Sequence, residues 1–555
     1  MRKVLSLLIT SVLGLVLSAC ASLPLVNTNK VGPEVLTNEL QESLYYSPAG
    51  PSTGDTQEEI IIGFLYAGNG PQDDYAVARG FLTRGFSSKW QPGKETLIQS
   101  GPTKVISDTG TRVRILISYD ARITEDGTFL SEPGSTREIE FRLLEENNEW
   151  RIASAPNLTS LLRPNFEVLF KAASVYFWDK SLSYLIPDVR WFPVKASLAT
   201  KLTNTMLAGP AEWLAPAAQN IFPAGTKLNI NSVTVAAGVA SIDLNATALK
   251  ISAWKLPYLK AQLLATLSAV PGLTQVSVSI QRTVLNITST SSGMPDTGSN
   301  LPVILTDTGL SRIAGTEPMP ITAASKYVQK LHATAFSLSN DSTYLALRGE
   351  GTVYVYNLGV LTSQERLVDS RSNLLAPSLD AFNAVWSATS NPGDPIRIVD
   401  QGGNTVMLKN PYPGSVSIRE IALSPEGARL AIVHDSYRGT MVDVYPVVRD
   451  KNRNVLSLAD PLPLPELGTN IRGLTWADRT TLMGIAVVNR LQQVRSLQIG
   501  GALTDGKVMS GALSLVSSIG DDLYYLNENG EVLASKGATW NVIQREVKSL
   551  RMSGQ

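Results

Sequence analysis

The chain has 555 residues, of which 43% are apolar and 7% aromatic, so it is long enough for three or four domains with well-filled cores. Its 48 Lys and Arg residues are balanced by 48 Asp and Glu residues, which excludes the basic surplus typical of nucleic-acid-binding proteins. One cysteine and two histidines exclude a disulfide framework and are too few for an ordinary zinc site.

The first twenty residues have the layout of an export signal. Arg2 and Lys3 precede an apolar run over residues 4–17, which is shorter than the roughly 20 residues of a membrane-spanning helix. The run ends in Leu17-Ser18-Ala19-Cys20, which contains the only cysteine of the chain. We predict a signal peptide over residues 1–19.

The tetrad that ends at Cys20 resembles the lipobox of bacterial lipoproteins. The resemblance implies that the chain is cut before Cys20 and that Cys20 is acylated, so that lipid chains hold the protein at the extracytoplasmic face of the cell membrane. An ordinary signal peptide with a chance cysteine and an uncleaved anchor are the alternatives. Residues 20–55 are rich in Pro, Gly, Ser and Asn without periodicity, which predicts a flexible lipidated tether.

Residues 56–160 are predicted to form a small α+β domain. Apolar residues recur at helical spacing on both sides of Gly68-Asn69-Gly70-Pro71, which indicates two helices joined by a turn. Asp73-Asp74 is expected to cap the second helix. Strand-like stretches follow at residues 104–106, 112–123, 137–144 and 150–153. Helices before an antiparallel sheet resemble the cystatin-like fold, a likeness that implies no function.

Residues 165–290 are predicted to form a second α+β domain. Residues 195–207 and 256–268 have helical patterns that end at Gly209-Pro210 and Pro271-Gly272. In the second helix, Leu263 is expected to face the sheet and Lys260 the solvent. Strands are predicted at residues 228–236, 239–244, 276–280 and 285–287.

The order of these elements resembles the GerMN domain, which is named from spore-germination proteins. The matching segments are Leu207-Ala208-Gly209-Pro210, the strand over residues 239–244, the helix segment over residues 262–267, and Val276. An unrelated α+β module is the alternative.

Residues 303–550 are predicted to form an all-β propeller without helices. Short strands recur about every ten residues, and units such as residues 336–356 and 421–445 repeat a strand, a turn and a strand that ends in an aromatic residue. Sheets that bury their faces only against their neighbours close radially, so five or six blades are expected. Trp386 and Trp476 are expected to pack between blades. A two-sheet sandwich is the alternative.

The sequence offers no catalytic constellation, so we predict a protein that is not an enzyme and has no cofactor or metal site. It lacks a Gly-x-Ser-x-Gly elbow and a His-Glu-x-x-His pair. His332 and His434 are expected at strand ends of neighbouring blades, with structural roles. Residues 501–507 match a phosphate-binding loop, but Val508 replaces the Ser or Thr that magnesium needs, which indicates a chance match.

Lipobox, tether, helix-plus-sheet domain, GerMN-like domain and terminal propeller, in this order, resemble the actinobacterial lipoprotein LpqB family. The resemblance implies that the protein binds the extracellular part of the sensor kinase MtrB, works with the MtrA–MtrB two-component system, and affects cell-wall and division homeostasis. It implies no catalytic residue. A cell-wall glycan-binding protein or an envelope hydrolase is the alternative hypothesis, and a scaffold for division proteins is a third.

Overall fold

The computed structural model describes residues 48–71, 73–194, 197–288, 291–295, 301–360, 365–437, 439–517, 522–537 and 539–554. The predicted signal peptide, Cys20 and the tether up to residue 47 lie outside the described residues. The chain from Pro48 onward forms one unit. Within it we distinguish an N-terminal domain (residues 48–169), a middle domain (170–295) and a C-terminal domain (301–554).

The N-terminal domain packs helices against an antiparallel sheet. Thr56 and Glu59 form a capping box that starts the first helix, whose apolar face meets the buried side of the sheet in one core. The strand order is β5-β4-β3-β1-β6, with β2 paired to β3 and with β1 and β6 parallel. The helices are α1 (Gln57–Ala67), α2 (Ala76–Gly80), α3 (Arg84–Ser87) and α4 (Arg163–Leu169), and the strands are β1 (Glu95–Gln99), β2 (Lys104–Asp108), β3 (Arg112–Thr124), β4 (Phe129–Glu146), β5 (Glu149–Ser154) and β6 (Thr159–Leu162).

The predicted helix cap at Asp73-Asp74 is wrong. Asp73, Asp74 and Tyr75 all have positive φ angles, and α2 begins at Ala76 without a side-chain cap. A capping side chain needs an extended backbone in order to reach the first N–H groups of the helix. Asp74 instead pairs with Arg79 at 2.7 Å.

The middle domain contains two small sheets and two longer helices. Leu263 is fully buried in its core, as predicted. Lys260 is half-buried and donates a hydrogen bond from Nζ to the Ile287 carbonyl oxygen at 3.1 Å, so the expectation that it faces solvent is wrong. The sheets are ordered β8-β7-β9 and β10-β11-β12-β13. The elements are β7 (Phe170–Asp179), β8 (Leu185–Pro193), α5 (Leu198–Ala208), β9 (Ala218–Gln219), β10 (Thr234–Ala236), β11 (Val239–Leu244), α6 (Leu256–Leu267), β12 (Gln275–Ile280) and β13 (Thr283–Val284).

The C-terminal domain is rich in β structure, as predicted, and contains six four-stranded antiparallel sheets among its described residues. Sheet I consists of β14 (Val303–Leu305), β15 (Leu310–Ala314), β16 (Glu317–Pro320) and β37 (Ser549–Arg551). Sheet II consists of β17 (Ala335–Leu338), β18 (Tyr344–Gly349), β19 (Thr352–Asn357) and β20 (Arg366–Asp369), and sheet III of β21 (Ser378–Leu379), β22 (Val385–Ser387), β23 (Ile396–Val399) and β24 (Thr405–Leu408).

The remaining three sheets follow in chain order. Sheet IV consists of β25 (Ile418–Leu423), β26 (Arg429–Ser436), β27 (Gly439–Arg449) and β28 (Val455–Leu458). Sheet V consists of β29 (Thr469–Trp476), β30 (Thr481–Val488), β31 (Leu491–Gln498) and β32 (Leu503–Met509), and sheet VI of β33 (Ala512–Ser517), β34 (Leu523–Asn527), β35 (Val532–Lys536) and β36 (Thr539–Gln544).

Neighbouring sheets contact each other through their first strands. Strand β17 contacts β21, β21 contacts β25, β25 contacts β29, and β29 contacts β33. Strand β37, from the end of the domain, contacts both β33 and β17. Trp386 and Trp476 are buried between sheets, as predicted, and Trp476 Nε1 donates to the carbonyl oxygen of Ala422 in sheet IV at 3.2 Å.

The prediction that this domain lacks helices is wrong. Helix α7 (Thr322–Leu331) lies between the strands of sheets I and II and shares a core with both. Its buried residues have the three- and four-residue spacing of an amphipathic helix and are Ala324, Tyr327, Val328 and Leu331. The segment is short enough to resemble one more strand in a series of strands.

Strand β8 of the middle domain contacts both other domains. The buried Arg190 side chain donates to Asp188 and, across the domain boundary, to Asp126 Oδ2 at 2.6 Å. Trp191 donates its backbone N–H to the Gly127 carbonyl oxygen at 2.8 Å and its indole N–H to the Gly500 carbonyl oxygen at 2.9 Å. We call Asp126, Asp188, Arg190 and Trp191 the junction.

The middle domain also contacts turns that follow the first strands of the C-terminal sheets. Tyr184 donates to the carbonyl oxygen of Ala381, just after β21, at 3.3 Å. Ala428, just after β25, is part of the middle-domain core. Arg479, just after β29, donates to the Pro295 carbonyl oxygen at 3.3 Å. The middle domain therefore covers the side of the C-terminal domain on which the first strands end.

Candidate functional site

Strands β25, β29, β33 and β37 border a cavity of about 280 Å³, which Arg348 of β18 and the segment before β21 also line. Residues from all six sheets, or from segments next to them, line it, so it lies where the sheets meet; we call it the central cavity. The charged and polar residues that line it are Arg348, Arg419, Glu420, Thr475, Ser514, Lys548, Ser549 and Arg551.

A bulge in β25 places two adjacent charged side chains against the central cavity. Adjacent residues on a regular strand point to opposite faces, but the pairing of β25 with β26 shifts between Ile418 and Glu420, which leaves Arg419 as an extra residue. Arg419 and Glu420 therefore both line the cavity. The Arg419 guanidinium is held by Asp435 through two hydrogen bonds of 2.8 and 2.6 Å.

Two consecutive backbone N–H groups hold the Glu420 carboxylate. Gly473 N donates to one oxygen at 2.9 Å and Leu474 N to the other at 2.8 Å. Gly473 has a φ of +61°, and a Cβ there would come within 2.8 Å of the Ser514 Cα atom. Glycine therefore allows the strand to turn both N–H groups to one side, an arrangement that binds anions. We call Glu420, Gly473 and Leu474 the carboxylate cradle.

Two arginines, Arg348 and Arg551, line the central cavity with Glu420. Arg348 is anchored, because Nη1 donates to the Leu374 carbonyl oxygen at 2.9 Å and Nη2 to Thr334 Oγ1 at 3.1 Å. Arg551 lies on β37 and, within the part of the chain that the structure describes, its guanidinium makes no hydrogen bond or ion pair within 4.0 Å. A guanidinium carries five N–H donors, so Arg551 keeps unused binding capacity.

Burial disfavours the charged form of all three groups, so it raises the pKa of a carboxyl group and lowers the pKa of a guanidinium. It raises the pKa of Glu420, although the two backbone N–H groups and the charges of Arg551 and Arg472 oppose the rise. It lowers the pKa of Arg348. It also lowers the pKa of Arg551, where Glu420 opposes the decrease and Arg348 adds to it. Both arginines stay charged at neutral pH, because an arginine pKa starts above 12.

The described lining of the central cavity contains one carboxylate and several cations. Glu420 is its one carboxylate among the described lining residues, whereas glycoside hydrolysis ordinarily needs two. No cluster of three His, Cys, Asp or Glu side chains that could hold a metal ion occurs in the described residues. The arginines and the carboxylate cradle form a polar pocket suited to a small charged ligand.

The two histidines lie away from the central cavity, and their predicted placement is wrong. His332 follows helix α7 with a positive φ, and its Nδ1 lies 2.7 Å from Glu350 Oε1 on the surface. His434 lies in β26, where Nε2 is 3.0 Å from Asp443 Oδ2 and the ring stacks on Tyr412. Sheet III separates the two, so they are not on neighbouring sheets.

The segment that matches a phosphate-binding loop forms a turn and most of strand β32. Residues 503–505 pair with β31 and the strand continues to Met509, so the segment does not lead into a helix that could point N–H groups at a phosphate. Lys507 lies over the Trp540 ring, 5.5 Å from its centroid. The segment therefore lacks the loop-to-helix geometry of a phosphate-binding loop.

The residues of the central cavity were missed by sequence reasoning. They are spread over residues 348–551 and come together only because the sheets pack against one another. One local signal was available: Gly473 interrupts an apolar strand pattern, which indicates a bulge or a close approach of two backbones. The other predicted site residue, Cys20, lies outside the described residues. None of the helices described is both long and apolar enough to cross a membrane.

Three family models match consecutive parts of the chain. The LpqB N-terminal domain matches residues 50–167, a sporulation and spore germination domain matches residues 174–283, and the LpqB beta-propeller domain matches residues 308–549. Together they follow the three domains of the structure.

Curated relatives match over most of their length. Lipoprotein LpqB of Thermobifida fusca is 23% identical, with 84% of this chain and 85% of the relative covered. Lipoprotein LpqB of Cutibacterium acnes is 22% identical, with 98% of both chains covered. A solved structure of TolB from Acinetobacter baumannii matches with 12% identity and a TM-score of 0.33 over 71% of this chain and 89% of that chain. The sequence matches carry the assignment: the chain belongs to the lipoprotein LpqB family.

Proposed function

We propose that the protein is a lipid-anchored regulatory lipoprotein at the extracytoplasmic face of the cell membrane, where it binds a sensor kinase of the MtrB type. The central cavity is the observation that carries the proposal. Its carboxylate is tied to two backbone N–H groups rather than placed beside a second carboxylate, so the cavity favours recognition over hydrolysis. Binding to the kinase then adjusts signalling that affects cell-wall and division homeostasis.

The junction supports this proposal in a second way. Direct hydrogen bonds join β8 to Asp126 and Gly127 on one side and to Gly500 on the other, so all three domains offer one connected surface to a partner. A lipid at Cys20 keeps this surface in the same membrane as the kinase. Tethering raises the effective concentration, so an interface with a Kd in the micromolar range, about −8 kcal/mol, is sufficient.

The anchor is tested by Cys20→Ala. No second cysteine is available for acylation, so we expect an uncleaved precursor or a released protein, and no acylated membrane form. Membrane fractionation with metabolic fatty-acid labelling measures this. Recovery of a mature acylated variant contradicts the lipid anchor at Cys20.

The kinase contact is tested by crosslinking in intact cells. The anchored protein is expected to crosslink to the extracellular part of the kinase, and the Cys20→Ala variant to crosslink less because it is diluted. Absence of a crosslink with the anchored protein contradicts the proposed partner.

A glycan-binding protein or envelope hydrolase is the second candidate, and one observation favours it. Burial raises the pKa of Glu420, which lies in a cavity, and a carboxyl group of this kind is a typical general acid. Purified protein is expected to show no turnover of peptidoglycan fragments. Turnover that Glu420→Gln abolishes would establish the hydrolase instead.

We further propose that the six sheets form a closed six-bladed propeller and that the N-terminal domain is of the cystatin-like class. The contacts of β37 with both β33 and β17 support closure, and helices packed on an antiparallel sheet support the second assignment. Removal of residues 549–555 is expected to abolish cooperative unfolding of the C-terminal domain in calorimetry. An unchanged transition contradicts closure.

A further inference from the structure

The central cavity holds more positive than negative charge. Arg348 and Arg551 line the cavity together with a single carboxylate, that of Glu420, and the charges of both Glu420 and Arg348 act on Arg551. The other two cations of the lining have partners of their own, since Arg419 pairs with Asp435 and Lys548 with Asp307. One positive charge is therefore left without a counter-charge among the described residues.

The position of Arg551 makes it the binding group of this cavity. The Arg348 guanidinium already donates to Leu374 and Thr334, whereas the Arg551 guanidinium donates to no described residue. Burial and the nearby Arg348 both lower the pKa of Arg551, and Glu420 compensates only partly. An anion placed against Arg551 reduces this repulsion and takes up its N–H donors, which match an oxyanion in a two-bond geometry.

We propose that the central cavity is a binding site for a small oxyanion, held by Arg551 and Arg348 opposite the carboxylate cradle. The cavity, at about 280 Å³, has room for a phosphate or a small carboxylate. Glu420 fills the N–H groups of the cradle, so the ligand binds on the arginine side and is repelled by the Glu420 charge. The site does not depend on the kinase contact proposed above.

Thermal unfolding of the purified protein with inorganic phosphate tests the site. At constant ionic strength and relative to chloride, phosphate is expected to raise the melting temperature of the C-terminal domain by about 2–4 °C when it is present at several times its Kd. Because phosphate also stabilises proteins through exclusion from their surface, the result that counts is the difference between the wild-type protein and a variant. Succinate in a parallel series distinguishes a phosphate site from a carboxylate site.

Three variants and a control decide the outcome. Arg551→Gln is expected to lose the specific shift, and Arg551→Lys to keep part of it because the charge remains. Glu420→Gln keeps an oxygen for the cradle but removes the repelling charge, so it is expected to bind phosphate about tenfold more tightly in calorimetry. Arg545→Gln removes an exposed arginine that pairs with Glu531 on the same domain, and it is expected to respond like the wild type.

Two results overturn the proposal. The first is that phosphate and succinate change the melting temperature of the wild-type protein and of Arg551→Gln by the same amount. This includes the case in which neither protein shows a change. The second is a folded Glu420→Gln variant that binds the anion no more tightly than the wild type. Glu420→Gln keeps one of the two cradle contacts and Arg551→Lys keeps the positive charge, so these two variants remain decisive if Arg551→Gln does not fold.

Discussion

The junction and the central cavity both bury arginine and carboxylate side chains, but they differ in how many of the arginine N–H donors are hydrogen-bonded. At the junction, Arg190 donates to Asp188 and Asp126, and Asp188 also accepts the Ala211 N–H at 2.7 Å. In the central cavity, the Arg551 guanidinium donates to no described residue. A cluster in which every guanidinium nitrogen makes a hydrogen bond holds domains together, whereas a guanidinium without hydrogen bonds can bind a ligand.

The pKa directions follow the same division. Burial lowers the pKa of Arg190, but the charges and hydrogen bonds of Asp188 and Asp126 outweigh it, so the pKa is raised above its ordinary value. Burial lowers the pKa of Arg551, and Arg348 adds to the decrease. The structure therefore stabilises the charged form of Arg190 at the junction. In the central cavity, Glu420 compensates the positive charge of Arg551 only in part.

The largest effect is expected from Arg190→Met, which breaks the junction. Arg190 and Asp188 are 1% and 2% exposed, so the variant leaves a buried carboxylate without its cation. Loss of one partner of a buried pair costs about 3–5 kcal/mol. Urea unfolding measures the change, with Arg545→Gln as the surface control at under about 0.5 kcal/mol. Equal losses in the two variants would show that the junction pair adds nothing to stability.

Leu263→Ala examines the apolar core beside the junction. Leu263 is fully buried on helix α6, and loss of a core leucine side chain costs about 2–5 kcal/mol. The adjacent Leu264 is only half-buried, so Leu264→Ala is a matched control with a smaller expected loss. Calorimetry compares the two. A greater loss at Leu264 would contradict the observed orientation of the helix.

Gly473→Ala disturbs the carboxylate cradle. The new Cβ meets the Ser514 Cα atom at a backbone conformation with positive φ, so a loss of about 1–3 kcal/mol is expected. Gly484 in the neighbouring strand β30 has an ordinary φ, and a Cβ there would meet its nearest atom, Ile471 Cγ2, at an ordinary contact distance of 3.5 Å, so Gly484→Ala is the control. Urea unfolding measures both. Similar small effects would indicate that the cradle adjusts without strain.

The smallest change in stability is expected from His434→Gln, which removes a titratable ring that lies 3.0 Å from Asp443 Oδ2. Burial lowers the pKa of His434, but Asp443 and the Asp435 carbonyl oxygen raise it, and the net pKa is raised. The stability from this pair is therefore fully present below pH 6.5 and is lost as pH rises through the folded-state pKa.

Melting temperatures between pH 5.5 and pH 8.5 measure this loss. We expect the wild-type protein to lose more stability across this range than His434→Gln, because the variant has no proton to release there. Parallel pH profiles for the two proteins would contradict the raised pKa of His434.

Local patterns predicted the middle domain better than the C-terminal domain. Helix α6 was expected at residues 256–268 and lies at Leu256–Leu267, because a long amphipathic pattern ends at Pro271-Gly272. Helix α7 was missed, because ten residues among many strands give a weak signal. Strands β1 and β6 were also missed, since each is short and its partner is distant in sequence.

The central cavity lay beyond sequence reasoning for a different reason. Glu420, Gly473 and Arg551 belong to three sheets, and only the packing of whole sheets brings them together. The bulges that aim Arg419, Glu420 and the Gly473 N–H group depend on pairing register, which residue periodicity does not encode. Gly473 was the one local sign of this geometry.

The pairing of β37 with β14 sets the order in which the molecule can fold. Ile304 pairs with Leu550, so sheet I cannot be completed until a strand almost a whole domain later in the chain has been synthesised. The N-terminal and middle domains pair their strands within themselves and can fold while the chain is still emerging. Contacts so distant in sequence form slowly. A ribosome that stops early therefore produces two finished domains joined to an open, protease-sensitive third, which quality control can recognise.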